Sequence, residues 1–411
     1  MLDRTARRWS LIGAGLTAAA TILATSGALP SLAAHGEHHR GGYGGHHLDH
    51  VFTIMIENHA PKGPGVGVLE DEKNMPFLNG LADRYATATS YYGVTHPSEP
   101  NYIASTSGST WWTNDDDGWC DGNGYPNPSY DPSPGATFGG ECPHPEKGNH
   151  YPHTNIVDQL EARHIPWAAY MDAMPDPGYL GDAWPSEDNE LYASKHNPFI
   201  LYNDIRRNPS RRDNIKPYDQ MAADLDHGRV PRYVWISPDN CNNLHGGVSE
   251  PVQGHAEAPC PYGNANDPGT DANEAALRQK ADAFLKHAVH TITESRAWTG
   301  NSVIFIVADE GDYTGQDTNA GWEDPSGCCD SPVLPKGDPQ IGKNWPGGVF
   351  GGGYAPMVVV STHGPRHSVD DTPYNHYSML RTVEQGFGLP YLGYAADGRR
   401  VQTMWPLISR R

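Results

Sequence analysis

Two short runs far apart in the chain end in residues suited to holding a hard cation. Val51-Phe52-Thr53-Ile54-Met55-Ile56 stops at Glu57-Asn58, and Val303-Ile304-Phe305-Ile306-Val307-Ala308 stops at Asp309-Glu310. Continuous apolar, β-branched runs of this length suit strands buried on both faces of a parallel sheet. In open α/β sheets the ligand site lies beyond the carboxyl ends of such strands. The two ends together offer three carboxylates and one amide oxygen, a donor set that suits one Mg²⁺, Ca²⁺ or Mn²⁺ ion.

A third segment, Thr95-His96-Pro97-Ser98-Glu99-Pro100-Asn101-Tyr102, places a serine at a helix start. Such a serine can simply cap its helix. The same position also aims backbone N–H groups at any anion the hydroxyl attacks, and a cation on its oxygen would make the hydroxyl a nucleophile.

The elements that must position these residues read as alternating helices and strands. Helices are expected over 75–85, 154–164, 271–296 and 377–387, and strands over 51–56, 166–170, 232–236, 303–308 and 356–361. This pattern predicts an α/β fold with a mostly parallel central sheet flanked by helices. Residues 111–150 and 311–354 are rich in Gly and Pro and read as long insertions.

The chain has 411 residues, 46 Gly, 36 Pro and a formal net charge of −20. That charge argues against nucleic acid or an anionic membrane surface as the main partner. Residues 1–33 read as an export signal, in which Arg7-Arg8 precedes an uncharged Ala/Gly/Leu-rich run and small residues close the segment. Arg7-Arg8-Trp9-Ser10-Leu11 is similar to a twin-arginine signal, with an ordinary secretory signal as the alternative. Residues 34–50, rich in His and Gly, read as a flexible leader, leaving 51–411 as one catalytic domain, secreted and without membrane insertion. The six cysteines of an exported chain are expected in disulfides. Cys120–Cys142 and Cys241–Cys260 are the economical local pairs, whereas adjacent Cys328 and Cys329 are poorly spaced to pair with each other.

Several segments in order then carry a resemblance. They are Ile54 to Asn58, His96 to Tyr102, Lys195-His196-Asn197-Pro198-Phe199, Asp309-Glu310-Gly311-Asp312, and Tyr374 to Glu384. Over roughly residues 50–395 the chain resembles the bacterial phospholipase C and acid phosphatase family, within the alkaline-phosphatase-like superfamily. The resemblance implies that Glu57, Asn58, Asp309 and Glu310 hold one divalent metal, with Ser98 completing its shell. It implies that Ser98 attacks phosphorus and forms a phosphoserine, and that Asn101 hydrogen-bonds a phosphate oxygen. His196, His245 and His376 would line the phosphate side or act as general acids, and His96 would join the substrate-binding set. The chain departs from the family pattern at Asn243, where an Asp often stands two residues before the histidine, here His245. A second metal is therefore not expected, and imidazoles, charged near or below about pH 6.5, would supply the missing charge. Asp239 remains an orienting acid or ligand, Asp312 a supporting or turn residue, and Lys195 a solvated or phosphate-steering charge. His59, His150, His153, His227 and His255 are expected at the surface.

The expected function is that of an exported metal-dependent phosphoesterase. Its substrate would be a small phosphorylated molecule, hydrolysed as a phosphomonoester on the acidic side of neutrality. The alternative is a phospholipase C acting on phospholipid headgroup diesters. It is disfavoured because the chain ends soon after Gly388-Leu389-Pro390 and has no basic amphipathic helix. A non-catalytic exported metal-binding protein is the remaining alternative.

Overall fold

The computed structural model describes residues 46–409 apart from 63–65, 112–115, 117–150, 228–229, 266, 312, 315–321, 324–325 and 332–350. The expected export signal, most of the leader, the Cys120–Cys142 pair, His150 and Asp312 lie outside the described residues.

The strands of the central sheet, in chain order, are β1 His50–Ile56, β2 Ala86–Ala88, β3 Trp167–Met171, β4 Ile215–Pro217, β5 Tyr233–Ser237, β6 Ser302–Ala308, β7 Met357–Ser361 and β8 Ser368–Asp370. They lie side by side as β8-β2-β7-β6-β1-β5-β3-β4. β6, β1, β5, β3 and β4 pair in parallel, while β7 runs antiparallel to both neighbours and β8 pairs in parallel with β2. The sheet is thus the mostly parallel one expected, with one reversed strand inside it. Its edge strands β4 and β8, and β2, are three residues long, too short to stand out in the sequence.

β1 and β6 are the two acid-tipped runs. They pair directly, with Val51 opposite Val303 and Ile56 opposite Ala308. Every residue from Val51 to Ile56 and from Ser302 to Ala308 is buried, which is why both runs lack polar alternation.

The helices are α1 Pro76–Arg84, α2 Ser98–Ser107, α3 Ile156–Ala162, α4 Ala272–Glu294 and α5 His376–Phe387, among shorter turns. α3, α4 and α5 each start at a capping side chain. Asp271 caps α4 by accepting the amides of Asn273 and Glu274, and Asn375 caps α5 by accepting those of Tyr377 and Ser378. Gly388, in the left-handed region, ends α5.

The body begins earlier than expected. Leu48 is buried and its N–H bonds the Gly386 carbonyl, while Arg232 donates to the carbonyls of Leu48 and Asp49. Residues 46–50 therefore belong to the fold rather than to a free leader. Cys241 pairs with Cys260 as expected. Cys328 pairs with Cys329 against expectation, and Cys329 and Asp330 both adopt left-handed backbone.

α4 anchors the chain just past β1 through a buried ionic knot. His59 Nε2 bonds Glu274 Oε1 at 2.9 Å. Arg278 donates to Glu274 (2.6 Å), Asp71 (3.1 Å) and the carbonyls of Val66 and Ala265. His59, expected at the surface, is buried here; His153 is half-buried against Trp111; His227 is exposed as expected. Burial opposes the Glu274 charge, but His59 and Arg278 outweigh it and hold the carboxyl down at about 2. Its folded value is depressed below 4.5, so its contribution to stability is present above pH 4.5 and lost as pH falls toward 2. Arg278→Ala removes the guanidinium that Glu274 and Asp71 share. We expect it to lower the unfolding free energy by about 3–5 kcal/mol, measured by urea denaturation at neutral pH.

Candidate active site

The strand order places four acid-bearing ends side by side. Asp309-Glu310 follow β6, Glu57-Asn58 follow β1, Asp239 lies two residues past β5, and Asp172 follows β3. α2 brings Ser98 over the first two. Its N-cap is Pro97, and no side chain caps the helix, so the Ser98 hydroxyl is not spent on capping. It donates instead to Glu57 Oε2 at 2.9 Å and lies 3.3 Å from Glu310 Oε1.

The other groups fix this arrangement. Tyr102, one turn along α2 from Ser98, donates its hydroxyl to Glu57 Oε1 at 2.9 Å. His96 Nδ1 bonds Glu310 Oε2. His376, the first residue of α5, bonds the Asp309 carbonyl through Nε2 and accepts the Tyr91 hydroxyl at Nδ1 (2.9 Å). The backbone N–H of Glu57 bonds the Asn243 carbonyl at 2.8 Å.

The ionisable groups show the cost of this burial. Desolvation raises Glu57 to about 7 in spite of Lys195, and raises Asp309 and Glu310 well above the usual carboxylate range, with neighbouring acids adding to both. Neither oxygen of Asp309 meets a well-directed hydrogen-bond donor. His196 Nε2 lies 3.0 Å from Glu57 Oε1, again without a directed hydrogen bond. Glu57, His196 and His245 each place a donor atom within 4.8 Å of the others. His245 Nδ1 bonds the Gly246 carbonyl at 3.0 Å, so its neutral ring carries its lone pair on Nε2. Buried acids with open oxygens, beside imidazoles with open lone pairs, are the environment a divalent ion satisfies. The residues present fit such an ion.

Next to Ser98 lies a second feature. Asp116 accepts the Glu99 N–H at 3.0 Å through one oxygen and the Lys195 ammonium at 3.0 Å through the other. An amide at a helix N-terminus and a cation thus already clasp one anionic group. Burial opposes the Lys195 charge, but Asp116 and Glu57 hold the ammonium charged beyond its usual range.

The structure therefore brings together Glu57, His96, Ser98, His196, His245, Asp309 and Glu310, with Asn58 buried next to Glu57 in the chain past the end of β1. It gives two residues other work than expected. Asn101 accepts the N–H groups of Val94 and Thr95 at Oδ1 and donates to the carbonyls of Thr95 and Pro97. Its amide is filled by the turn that presents Ser98, leaving no hydrogen for a phosphate. His376 spends both ring nitrogens on Tyr91 and Asp309. The expected imidazolium charge is also absent. Burial lowers His245 and His376 to about 4 and His196 well below its usual value. Tyr102 was missed, although its i+4 spacing from Ser98 puts both on one helix face. Asp116 gives no sequence signal within its Gly/Asp-rich stretch.

The sequence model of the Phosphoesterase family matches residues 66–258 and 270–390. The phosphate-repressible acid phosphatase of Penicillium chrysogenum is 25% identical over 319 residues, covering 77% of this chain and 55% of that protein. The phosphatidylinositol-3-phosphatase of Mycobacterium tuberculosis is 22% identical over 356 residues, covering 87% of this chain and 82% of that one. The chain spans about half the length of the fungal acid phosphatases it matches. Among solved structures, an alkaline phosphatase superfamily protein from Vibrio parahaemolyticus superposes with a TM-score of 0.42 at 13% identity, over 89% of this chain and 69% of that one.

With chelator present, the carboxyl cluster sets a pH dependence. Glu57 has a folded value raised above 4.5, so its contribution favours folding below pH 4.5 and is lost as pH rises through about 7. Melting temperature in chelator should fall across that window, and the fall should flatten in Glu57→Gln. An equal slope in both proteins would place the titrating group elsewhere.

Proposed function

The chain belongs to the Phosphoesterase family, and on that footing we propose that it is an exported, metal-dependent phosphomonoesterase working through a phosphoserine at Ser98. The observation that carries this reading is the Ser98 hydroxyl bound to Glu57, one residue from an anion-clasping amide and beside the Lys195 ammonium.

Glu57, Asn58, Asp309 and Glu310, with Ser98 and with His196 and His245 alongside, would hold the divalent ion. When bound, that ion supplies positive charge that stabilises the ionised hydroxyl and the phosphoryl oxygens. Glu57 takes the Ser98 proton along the 2.9 Å hydrogen bond, and Tyr102 holds Glu57 in place. Ser98 Oγ forms its bond to phosphorus as the bond to the ester oxygen breaks, and the proton taken by Glu57 passes, directly or through water, to that departing oxygen. Water then attacks the phosphoserine, releasing inorganic phosphate and restoring the hydroxyl. The Glu99 N–H and Lys195 are aimed at the transferring group's oxygens, where they act by fixed electrostatics. Asp116 occupies both partners here, so substrate must displace it.

The neutral histidines alter the expected pH dependence. An acidic optimum cannot rest on imidazolium charge near pH 6.5, because burial holds His245 and His376 neutral down to about pH 4. We expect kcat/KM for nitrophenyl phosphate to show no ionisation near pH 6.5 that disappears on replacing either histidine by Gln. Ser98→Ala should lose at least about 10³-fold in kcat while keeping its fold. Acid quenching of the parent should trap phosphate on the peptide from His96 to Tyr102, and label on a histidine would refute the mechanism.

A lipid-borne monoester is the second reading, favoured by the match to most of the mycobacterial phosphatidylinositol-3-phosphatase. Rates on nitrophenyl phosphate, its bis-ester and phosphatidylinositol 3-phosphate, measured side by side, separate the readings. A faster bis-ester reaction would favour diester chemistry of the phospholipase C kind.

A further inference from the structure

Two strands away from β6, the sheet presents another group of acids that the proposed reaction does not use. Asp239, His255 and Glu257 each place a donor atom within 4.8 Å of the other two. They come from the segment that follows β5, which Cys241–Cys260 closes into a loop. Asp239 is 2% exposed. Its Oδ1 accepts the amides of Cys241 and Asn242, both at 2.9 Å, which locks the carboxylate in place. Its Oδ2 is buried with no hydrogen-bond donor among the described residues. His255 Nδ1 lies 2.8 Å from Glu257 Oε1.

The charge around this point is unbalanced. Asp172, at the end of β3, lies behind Asp239, held by the Asn242 side chain at 3.0 Å. Lys280 is near, but its ammonium is directed to the carbonyls of Glu257 (2.6 Å) and Pro259 (3.3 Å). Three carboxylates thus converge with one imidazole, and Lys280 bonds backbone carbonyls rather than their side-chain oxygens. A buried carboxylate oxygen without a donor is costly unless it gains a proton or a cation. The loop is already closed by a disulfide, so little ordering remains to oppose binding.

We propose that Asp239, His255 and Glu257 form a second divalent-cation site, separate from the Ser98 centre, that ties the disulfide loop to the strand ends. Mixed carboxylate and imidazole donors suit Zn²⁺ or Mn²⁺ better than Ca²⁺. The site has a structural consequence. The segment from Asp239 runs on to Asn243, whose carbonyl holds the Glu57 N–H, and to His245. A cation at Asp239 therefore stiffens the chain that carries His245, without touching the reacting atoms.

Metal analysis of the full chain tests this without relying on turnover. Parent, His255→Asn, Glu257→Gln and Asp309→Asn proteins are stripped with chelator, equilibrated separately with Zn²⁺, Mn²⁺ and Ca²⁺, desalted and assayed for metal per chain. With Zn²⁺ or Mn²⁺, His255→Asn and Glu257→Gln should each lose about one equivalent, and the Glu257→Gln/Asp309→Asn double variant about two. The Zn²⁺-induced rise in melting temperature should shrink by about half or more in Glu257→Gln. Parental metal content in both His255→Asn and Glu257→Gln overturns the proposal. So does a Glu257→Gln protein that melts higher with unchanged metal, since the carboxyls would then be sharing a proton. Loss of metal confined to Asp309→Asn also refutes this site, while leaving the Ser98 centre intact.

Discussion

Mutual repulsion among Glu57, Asp309 and Glu310 is the constraint around which the molecule is organised. Three carboxylates lie in a buried space next to one hydroxyl, where desolvation alone disfavours their charge. A chain keeps such a cluster only if the surrounding structure forces it. Here the force is the pairing of β1 with β6, whose fully buried apolar runs lie side by side along their whole length. The sheet core and the site are in this sense one interaction: the runs make the pair, and the pair makes the cluster.

Everything near the cluster either satisfies or immobilises it. Tyr102 and Ser98 divide the two oxygens of Glu57 between them, and His96 takes one oxygen of Glu310. His376 grips the backbone of Asp309 rather than its carboxylate, leaving both side-chain oxygens open. Asn101 serves the same end at one remove, since its filled amide fixes the turn from which Ser98 projects. This division of labour separates holding from reacting. The residues with free lone pairs are Asp309, His196 and His245, and the residues with none left are Asn101 and His376.

The sequence displayed the centre of this arrangement and concealed its margins. The two acid-tipped runs were readable because burial on both faces removes polar alternation, and direction follows from the α/β pattern. Ser98 was readable from its place before a helix. The structure departs from the sequence-based expectation wherever a role depends on who already occupies a side chain. Asn101 and His376 have the right chemistry for a phosphate, but only three dimensions show that backbone and Tyr91 use their hydrogen-bonding positions. The protonation of the histidines failed for a related reason, because a free-solution value near 6.5 says nothing about burial. His59 was misplaced at the surface because its partner Glu274 lies on a helix far along the chain. The short strands β2, β4 and β8 carry too few residues for a period to show.

The pairing of β1 with β6 also sets a schedule. His50–Ile56 emerges early in synthesis, but its partner Ser302–Ala308 follows only after most of the chain has been made. A parallel pair so distant in sequence forms late and slowly. Until it forms, Glu57 has neither Asp309 nor Glu310 beside it, and no nascent fragment can assemble the acid cluster. The candidate site is therefore among the last features of the molecule to assemble. The topology thus makes the buried acid cluster a sign that the whole sheet has closed.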